Sequence, residues 1–147
     1  MARLESREGR ILAVDFGDTR TGLAISDDMR FLASGVGYIS PGGIEKTAAA
    51  VAEEALARGV VAVVVGHPLN MNGSAGPRAE RAEEFAALLR DKLEGVEVVL
   101  FDERMTTMAA ARYLNETNVR GKKRKGVVDT LSAQIILQNY MDSNRSL

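Results

Sequence analysis

Acidic residues at three separated places in this 147-residue chain are the first candidates for chemistry: Asp15, the adjacent pair Asp102 and Glu103, and Asp129. Asp15 follows ILAV in an apolar run, RILAVDF, at 10 to 16. An ionised carboxylate in such a run is costly to bury unless a cation or strong donors compensate it. A bound metal would do so, and so would a turn built with Gly17 and Asp18; the residue alone divides evenly between the two. Asp102 and Glu103 come at the end of a second apolar run, VEVVLF, so two separate strands carry carboxylates at their C-terminal ends. Asp129 falls in the first turn of a final, mostly apolar helix, where the helix dipole favours an acid without any function. The trio is more specific than its members. Three carboxylates from two strands and a helix can hold two divalent ions about 3.5–4 Å apart, an arrangement that activates water and stabilises the leaving oxygen in phosphodiester hydrolysis.

The elements that must position these acids follow from hydrophobic patterning. TGLAISD at 21 to 27 follows the first run after a short polar turn, as an antiparallel hairpin requires, and FLASGVGYI at 31 to 39 predicts a third strand. Pro41, Gly42 and Gly43 break the chain, and Ile44, Ala48, Val51, Ala52 and Ala55 then recur at helical spacing up to a stop at Gly59. VVAVVVG at 60 to 66 is apolar on both faces and β-branched, the pattern of a buried parallel strand. The loop HPLNMNGSAGP leads to a helix with an inner stripe of Phe85, Leu88, Leu89 and Leu93, ended by Gly95 before a fifth strand at 96 to 101. A short helix is predicted from about Thr106 to Asn118. A basic segment follows, and Gly126 opens a last helix carrying Val127, Val128, Leu131, Ile135, Ile136, Leu137 and Tyr140. A three-strand meander, then helix, strand, helix, strand and two closing helices, predicts an α/β fold with a mixed five-stranded sheet covered by helices on both faces. That order suits a ribonuclease H-like architecture better than a doubly wound Rossmann sheet, which would not start with a meander. One domain is expected over 10–143, with an N-terminal extension at 1–9 and a tail at 144–147.

Composition narrows the chemistry. There is no cysteine, which removes disulfides, zinc–thiolate sites and thiol nucleophiles. His67 is the single histidine, so a metal would be held mainly by oxygen, which favours Mg²⁺ or Mn²⁺. MARLESREGR has no apolar core of a signal peptide and no stretch approaches the ~18 apolar residues of a membrane span, so a cytoplasmic protein is expected. The net charge of −1 advertises no polyanionic partner, but five of the six residues from Arg120 to Lys125 are basic.

Four ordered segments then become recognisable. DFGDTRTGLAIS (Asp15 to Ser26) resembles the D-x-G-x-x-R-x-G opening of the YqgF/RuvX family, VVVGHPLNMNGSAG (Val63 to Gly76) its second block, and DERMTT (Asp102 to Thr107) its third. GKKRKGVVDTLSAQIILQNYM (Gly121 to Met141) is similar to its lysine-rich loop and the helix that follows, with one acid near the helix start. The resemblance runs from about Arg10 to Met141. It implies a ribonuclease H-like fold related to Holliday-junction resolvases, and a nuclease that matures the 5′ end of precursor 16S ribosomal RNA. It carries the catalytic and metal-binding acids over to Asp15, Glu103 and Asp129, and on the family pattern alone selects Glu103 over Asp102.

Other residues are weighed around that trio. Arg20, in the turn beside Asp15, could grip a phosphate or orient a carboxylate. Arg104 is a substrate-binding candidate that could equally pair with the acids beside it. Gly17 and Gly22 are expected to allow tight turns and close backbone approach. Ser74 is expected as an N-cap, leaving helix amides to meet a phosphate with Asn72 beside them, although an ordinary strand-to-helix connection is nearly as good a reading. His67 is read as incidental. Lys122, Lys123, Arg124 and Lys125 precede Asp129 and are substrate-backbone candidates, where a bare charge run would be a solvated loop. With 5% aromatics and no tryptophan, base stacking has little support, and shape and backbone contacts are expected instead. The expected partner is precursor rRNA or branched DNA, with ribosomal particles nearby, and a monomer or weak homodimer. Competing readings are a Holliday-junction resolvase, a non-catalytic nucleic-acid-binding or ribosome-associated factor, and an actin-like ATPase, whose two phosphate-binding domains would not fit in this length. DFG at Asp15 to Gly17 is no kinase signature, since no glycine-rich loop or catalytic-loop motif accompanies it.

Overall fold

The computed structural model describes residues 9–105 and 121–145, with the side chains of Met105, of 121–129 and of Arg145 outside the description. Strands β1 (Ile11–Asp15), β2 (Thr21–Ser26) and β3 (Ala33–Ile39) form the meander, followed by helix α1 (Ile44–Arg58), β4 (Ala62–His67), α2 (Pro77–Lys92) and β5 (Glu97–Asp102). A 3₁₀ turn, Glu103–Met105, follows β5, and α3 (Gly121–Arg145) closes the chain. The sheet order is β3-β2-β1-β4-β5. β1–β2 and β2–β3 pair antiparallel; β1–β4 and β4–β5 pair parallel, which is the mixed five-stranded sheet expected.

Alternation along the central strands divides the core in two. Leu12, Val14, Leu23, Val63 and Val65 face α1 and α2, packing with Val51, Ala55, Phe85 and Leu89. Ile11, Ala13, Ala24, Ala62 and Val64 face the other way, under Ala133, Ile136, Leu137, Tyr140 and Met141 of α3. Helices therefore cover both faces. Asp15 continues the alternation of Ile11 and Ala13, which puts it on the α3 side.

Several boundaries move for local reasons. β4 starts at Ala62 and not at 60, because the amides of Gly59 and Val60 bond to Leu56 and Ala55 carbonyls in a C-cap with Gly59 left-handed at φ 64°. β3 starts at Ala33 because Asp27 Oδ1 captures the amides of Phe31 and Leu32 at 2.8 and 2.9 Å, holding both in the turn. α2 begins after Gly76 with Pro77 in its first turn; Ser74 is not its cap, since its hydroxyl bonds Asn72 Oδ1 at 2.6 Å and Asn70 Nδ2 at 3.0 Å. α3 begins at Gly121, so 121–125 is helical where a loop was expected, in keeping with the good helix propensity of lysine and arginine. The helix predicted from Thr106 to Asn118 lies outside the described residues.

Candidate functional site

The carboxyl ends of β1, β4 and β5 lie side by side. Val14 pairs with Val65, so Asp15 and Gly66 follow at one level; Gly66 pairs with Phe101, and His67 with Asp102. The chain leaves β1 for β2 on one side and leaves β4 for β5 on the other, and in open α/β sheets the crevice at such a reversal is where ligands bind.

Glu103 turns back over this crevice. A Cβ added to Gly66 would stand 2.7 Å from Glu103 Oε2 and 2.7 Å from Ile136 Cδ1, so a glycine at this point of β4 makes room for both the carboxylate and α3. Among the described residues no hydrogen bond or ion pair reaches the Glu103 carboxylate. Burial pushes its carboxyl above the ordinary value, the nearby charges of Arg78 and His67 oppose that rise, and Asp102 adds to it.

Asp102, one residue earlier, is in a different situation. Arg104 Nε lies 3.1 and 3.0 Å from its two oxygens and Nη2 lies 2.7 Å from Oδ2, while the Arg104 amide donates to Oδ1 at 2.9 Å. The Arg104 hydrogen bonds hold the Asp102 carboxyl below its ordinary value against a smaller burial effect. Arg104 also donates to the Met71 carbonyl at 3.3 Å, tying the β4–α2 loop to the end of β5. The two acids thus stand in opposite surroundings: Asp102 is paired with Arg104, and Glu103 is half-buried over Gly66.

Of the other expected residues, Arg20 lies over the Tyr38 ring at 5.4 Å from the centroid. A Cβ at Gly17 would collide with the Arg20 carbonyl, so the turn after β1 requires glycine there. Asn72 Oδ1 accepts from the Ser74 amide at 2.9 Å, which uses that oxygen within the loop. Asp129 lies on the backbone of α3 four and seven residues before Ala133 and Ile136, and Lys122, Lys123, Arg124 and Lys125 lie on its first turns; the side chains of all five are outside the described residues.

Three features were missed by sequence reasoning. His67 Nε2 lies 2.7 Å from Glu83 Oε2, an ion-pair geometry between the end of β4 and α2 that no local spacing announces. Arg81 of α2 reaches Asp18 at 2.8 Å and lies over Phe16, which stacks on Phe85, pinning the turn that carries Arg20. Arg78, in the first turn of α2, contributes positive potential at Glu103.

Asp15 and Glu103 offer hard oxygen donors, and the half-buried Glu103 carboxylate, its ionised form disfavoured by burial, is a group whose charge a divalent ion would relieve. Among the described residues no three acid or histidine side chains converge tightly enough to hold a metal.

A family model described as RuvX, Holliday junction resolvase, matches residues 9–143. The chain belongs to the RuvX family. A relative from Ruminiclostridium cellulolyticum, named "Putative pre-16S rRNA nuclease", is 44% identical over 134 residues, covering 90% of this chain and 94% of the relative. A second of the same name, from Geobacillus thermodenitrificans, is 44% identical over 142 residues, covering 92% and 99%. Among solved structures, Thermus thermophilus RuvC in complex with a Holliday junction substrate superposes with a TM-score of 0.58 at 13% identity, covering 92% of this chain and 96% of that one. The fowlpox virus Holliday junction resolvase gives 0.57 at 14% identity, covering 91% and 99%. At those identities the likeness carries the fold alone, and the fold is ribonuclease H-like, as expected.

Proposed function

We propose that this RuvX-family protein is a divalent-metal-dependent endonuclease in which Asp15, Glu103 and Asp129 hold the ions, and that its substrate is the 5′ region of precursor 16S rRNA. The observation that carries the reading is the Glu103 carboxylate, turned over Gly66 beside the end of β1 with its ionised form disfavoured by burial. The rRNA substrate is taken from the names of relatives more than 40% identical over nearly the whole chain. Mg²⁺ or Mn²⁺ bound there would supply the positive charge that lowers the pKa of attacking water and steadies the leaving oxygen. The chain's own residues do the rest. Asp15 and Glu103 fix the donor oxygens from rigid strand ends. Arg104 and Asp102 neutralise each other, which holds the β4–α2 loop without adding charge to the crevice. Lys122, Lys123, Arg124 and Lys125, on the first turns of α3, and Arg20, at the β1–β2 turn, are the substrate-backbone contacts, and Asn72 sits on the loop at the crevice rim. We place this activity in the cytoplasm, on precursor ribosomal particles, with the protein a monomer or weak homodimer; among the described residues no helix is long and apolar enough to cross a membrane.

A second reading, cleavage of four-way DNA junctions, is favoured by the description of the family itself. Incubating purified protein and Mg²⁺ or Mn²⁺ with precursor rRNA, a four-way junction and linear controls separates the two. Cleavage of the rRNA at a defined 5′ position is expected; cleavage of the junction alone would replace the substrate. Binding without cleavage of either would favour a non-catalytic factor.

A further inference from the structure

The β2–β3 ladder carries an irregularity directly beneath α3. Leu23 pairs with Gly37 but Ala24 pairs with Gly35, so Val36 is an extra residue, a bulge. Thr130 of α3 fits into this break: its hydroxyl accepts from the Gly37 amide at 3.1 Å and donates to the Leu23 carbonyl at 3.1 Å, bridging the two strands. Glycines make the approach possible. A Cβ at Gly35 would stand 2.5 Å from Thr130 Oγ1 and 3.0 Å from Gln134 Oε1, and Gly37 has φ +117°, a conformation side chains rarely adopt. Gln134 and Gln138 continue the stripe. Gln134 Nε2 donates to the Ala33 carbonyl at 3.3 Å, and Gln138 bonds the Ala33 amide at 3.2 Å and the Phe31 carbonyl at 3.2 Å. Threonine and glutamines four residues apart thus lay one polar edge of α3 along backbone groups of β2, of the edge strand β3 and of the turn before it. Apolar packing by itself leaves a helix free to slide and rotate by small amounts, whereas directional bonds to fixed backbone groups do not.

We propose that Thr130 is a positioning residue for Asp129: by locking α3 into the β2–β3 bulge, its hydroxyl fixes the height and rotation at which the preceding residue approaches the carboxyl ends of β1 and β5. The inference rests on the reading of Asp129 as a metal ligand, and its experiment separates the two. Mn²⁺ dissociation constants are measured by electron paramagnetic resonance on the full chain, with thermal melts alongside. Thr130→Val, which keeps the shape and removes the hydroxyl, is expected to weaken Mn²⁺ binding about 10-fold, the scale of losing a group that orients a ligand. Thr130→Ser restores the wild-type constant. Gln138→Met, which cuts bonds at the far end of the same stripe, lowers the melting temperature and leaves Mn²⁺ binding unchanged. If Thr130→Val does not fold, Gly35→Ala, which keeps the hydroxyl and displaces it, is expected to weaken binding in its place. A folded Thr130→Val protein with the wild-type constant, while Asp129→Asn and Asp15→Asn bind weakly, overturns the positioning role alone. Wild-type Mn²⁺ binding in Asp129→Asn overturns the ligand reading and this inference with it.

Discussion

Glu103 and Asp102 differ by one residue and are driven in opposite directions by their surroundings. At Glu103 burial raises the carboxyl, with Arg78 and His67 only partly opposing it. A carboxyl raised in the folded state binds its proton more tightly there than in the unfolded chain, so its stabilising contribution is complete below the unfolded value and is lost as pH rises through the folded one. The metal-free protein therefore gives up stability at Glu103 between acid and neutral solution. Glu103→Gln is expected to melt above wild type at pH 7 without metal, to lose that advantage at acid pH, and to gain less than wild type when Mn²⁺ is added. Thermal melts at the two pH values, with and without the ion, check this, and a Gln variant melting below wild type in metal-free neutral buffer would contradict it. Asp15 was legible in the sequence as a candidate at the end of β1, because an acid closing an apolar strand is costly wherever the strand is buried. The different surroundings of Asp102 and Glu103 were not, because they depend on Arg104 folding back across a 3₁₀ turn and on room over Gly66, neither of which periodicity encodes. The His67–Glu83 contact was equally hidden, since it needs α2 laid across the end of β4.

Among the elements, the strands and helices that build the crevice came from pattern alone, and what pattern misplaced were their ends. The C-cap at Gly59 consumes the residues that would have begun β4, Asp27 holds Phe31 and Leu32 out of β3, and Ser74 spends its hydroxyl on loop asparagines. These are side-chain-to-backbone choices between competing local hydrogen bonds, which hydrophobic periodicity does not report. The β2–β3 bulge belongs to the same class: glycines of the meander can be read as turn formers, as Gly17 and Gly22 were, yet Gly35 is needed for the approach of Thr130. Gly66 shows the consequence for function. Adding one methyl there sets a Cβ 2.7 Å from both Glu103 Oε2 and Ile136 Cδ1, so the carboxylate, α3 or both must move. Gly66→Ala is expected to cost about 1–3 kcal/mol of stability, as overpacking does, and to weaken Mn²⁺ binding as well. Denaturant unfolding and a metal titration on the same preparation measure the two effects. Unchanged metal affinity would place the ion away from Glu103.

For the molecule as a whole, the sheet sets Asp15 and Glu103 at the ends of β1 and β5, on either side of β4, and on the proposed reading the closing helix adds Asp129 and the basic run. The sheet is held from both sides by separate apolar clusters, Leu12, Val14, Val63 and Val65 with α1 and α2, and Ile11, Ala13, Ala62 and Val64 with α3. The nearly neutral total charge conceals the basic run, because the chain as a whole sets 19 basic residues against 20 acidic ones. The topology was legible because a meander followed by alternating helix and strand leaves few ways to bury a sheet on both faces. The substrate was not, because backbone recognition reads charge and shape that RNA and branched DNA share. The central claim is that this crevice binds divalent ions for phosphodiester hydrolysis, and it is tested most directly by following cleavage of precursor 16S rRNA during a Mn²⁺ titration with wild type, Asp15→Asn and Glu103→Gln. Metal-dependent cleavage by wild type, lost in both variants while their folds persist, is the expected result; cleavage that survives in either variant or in chelator would contradict it.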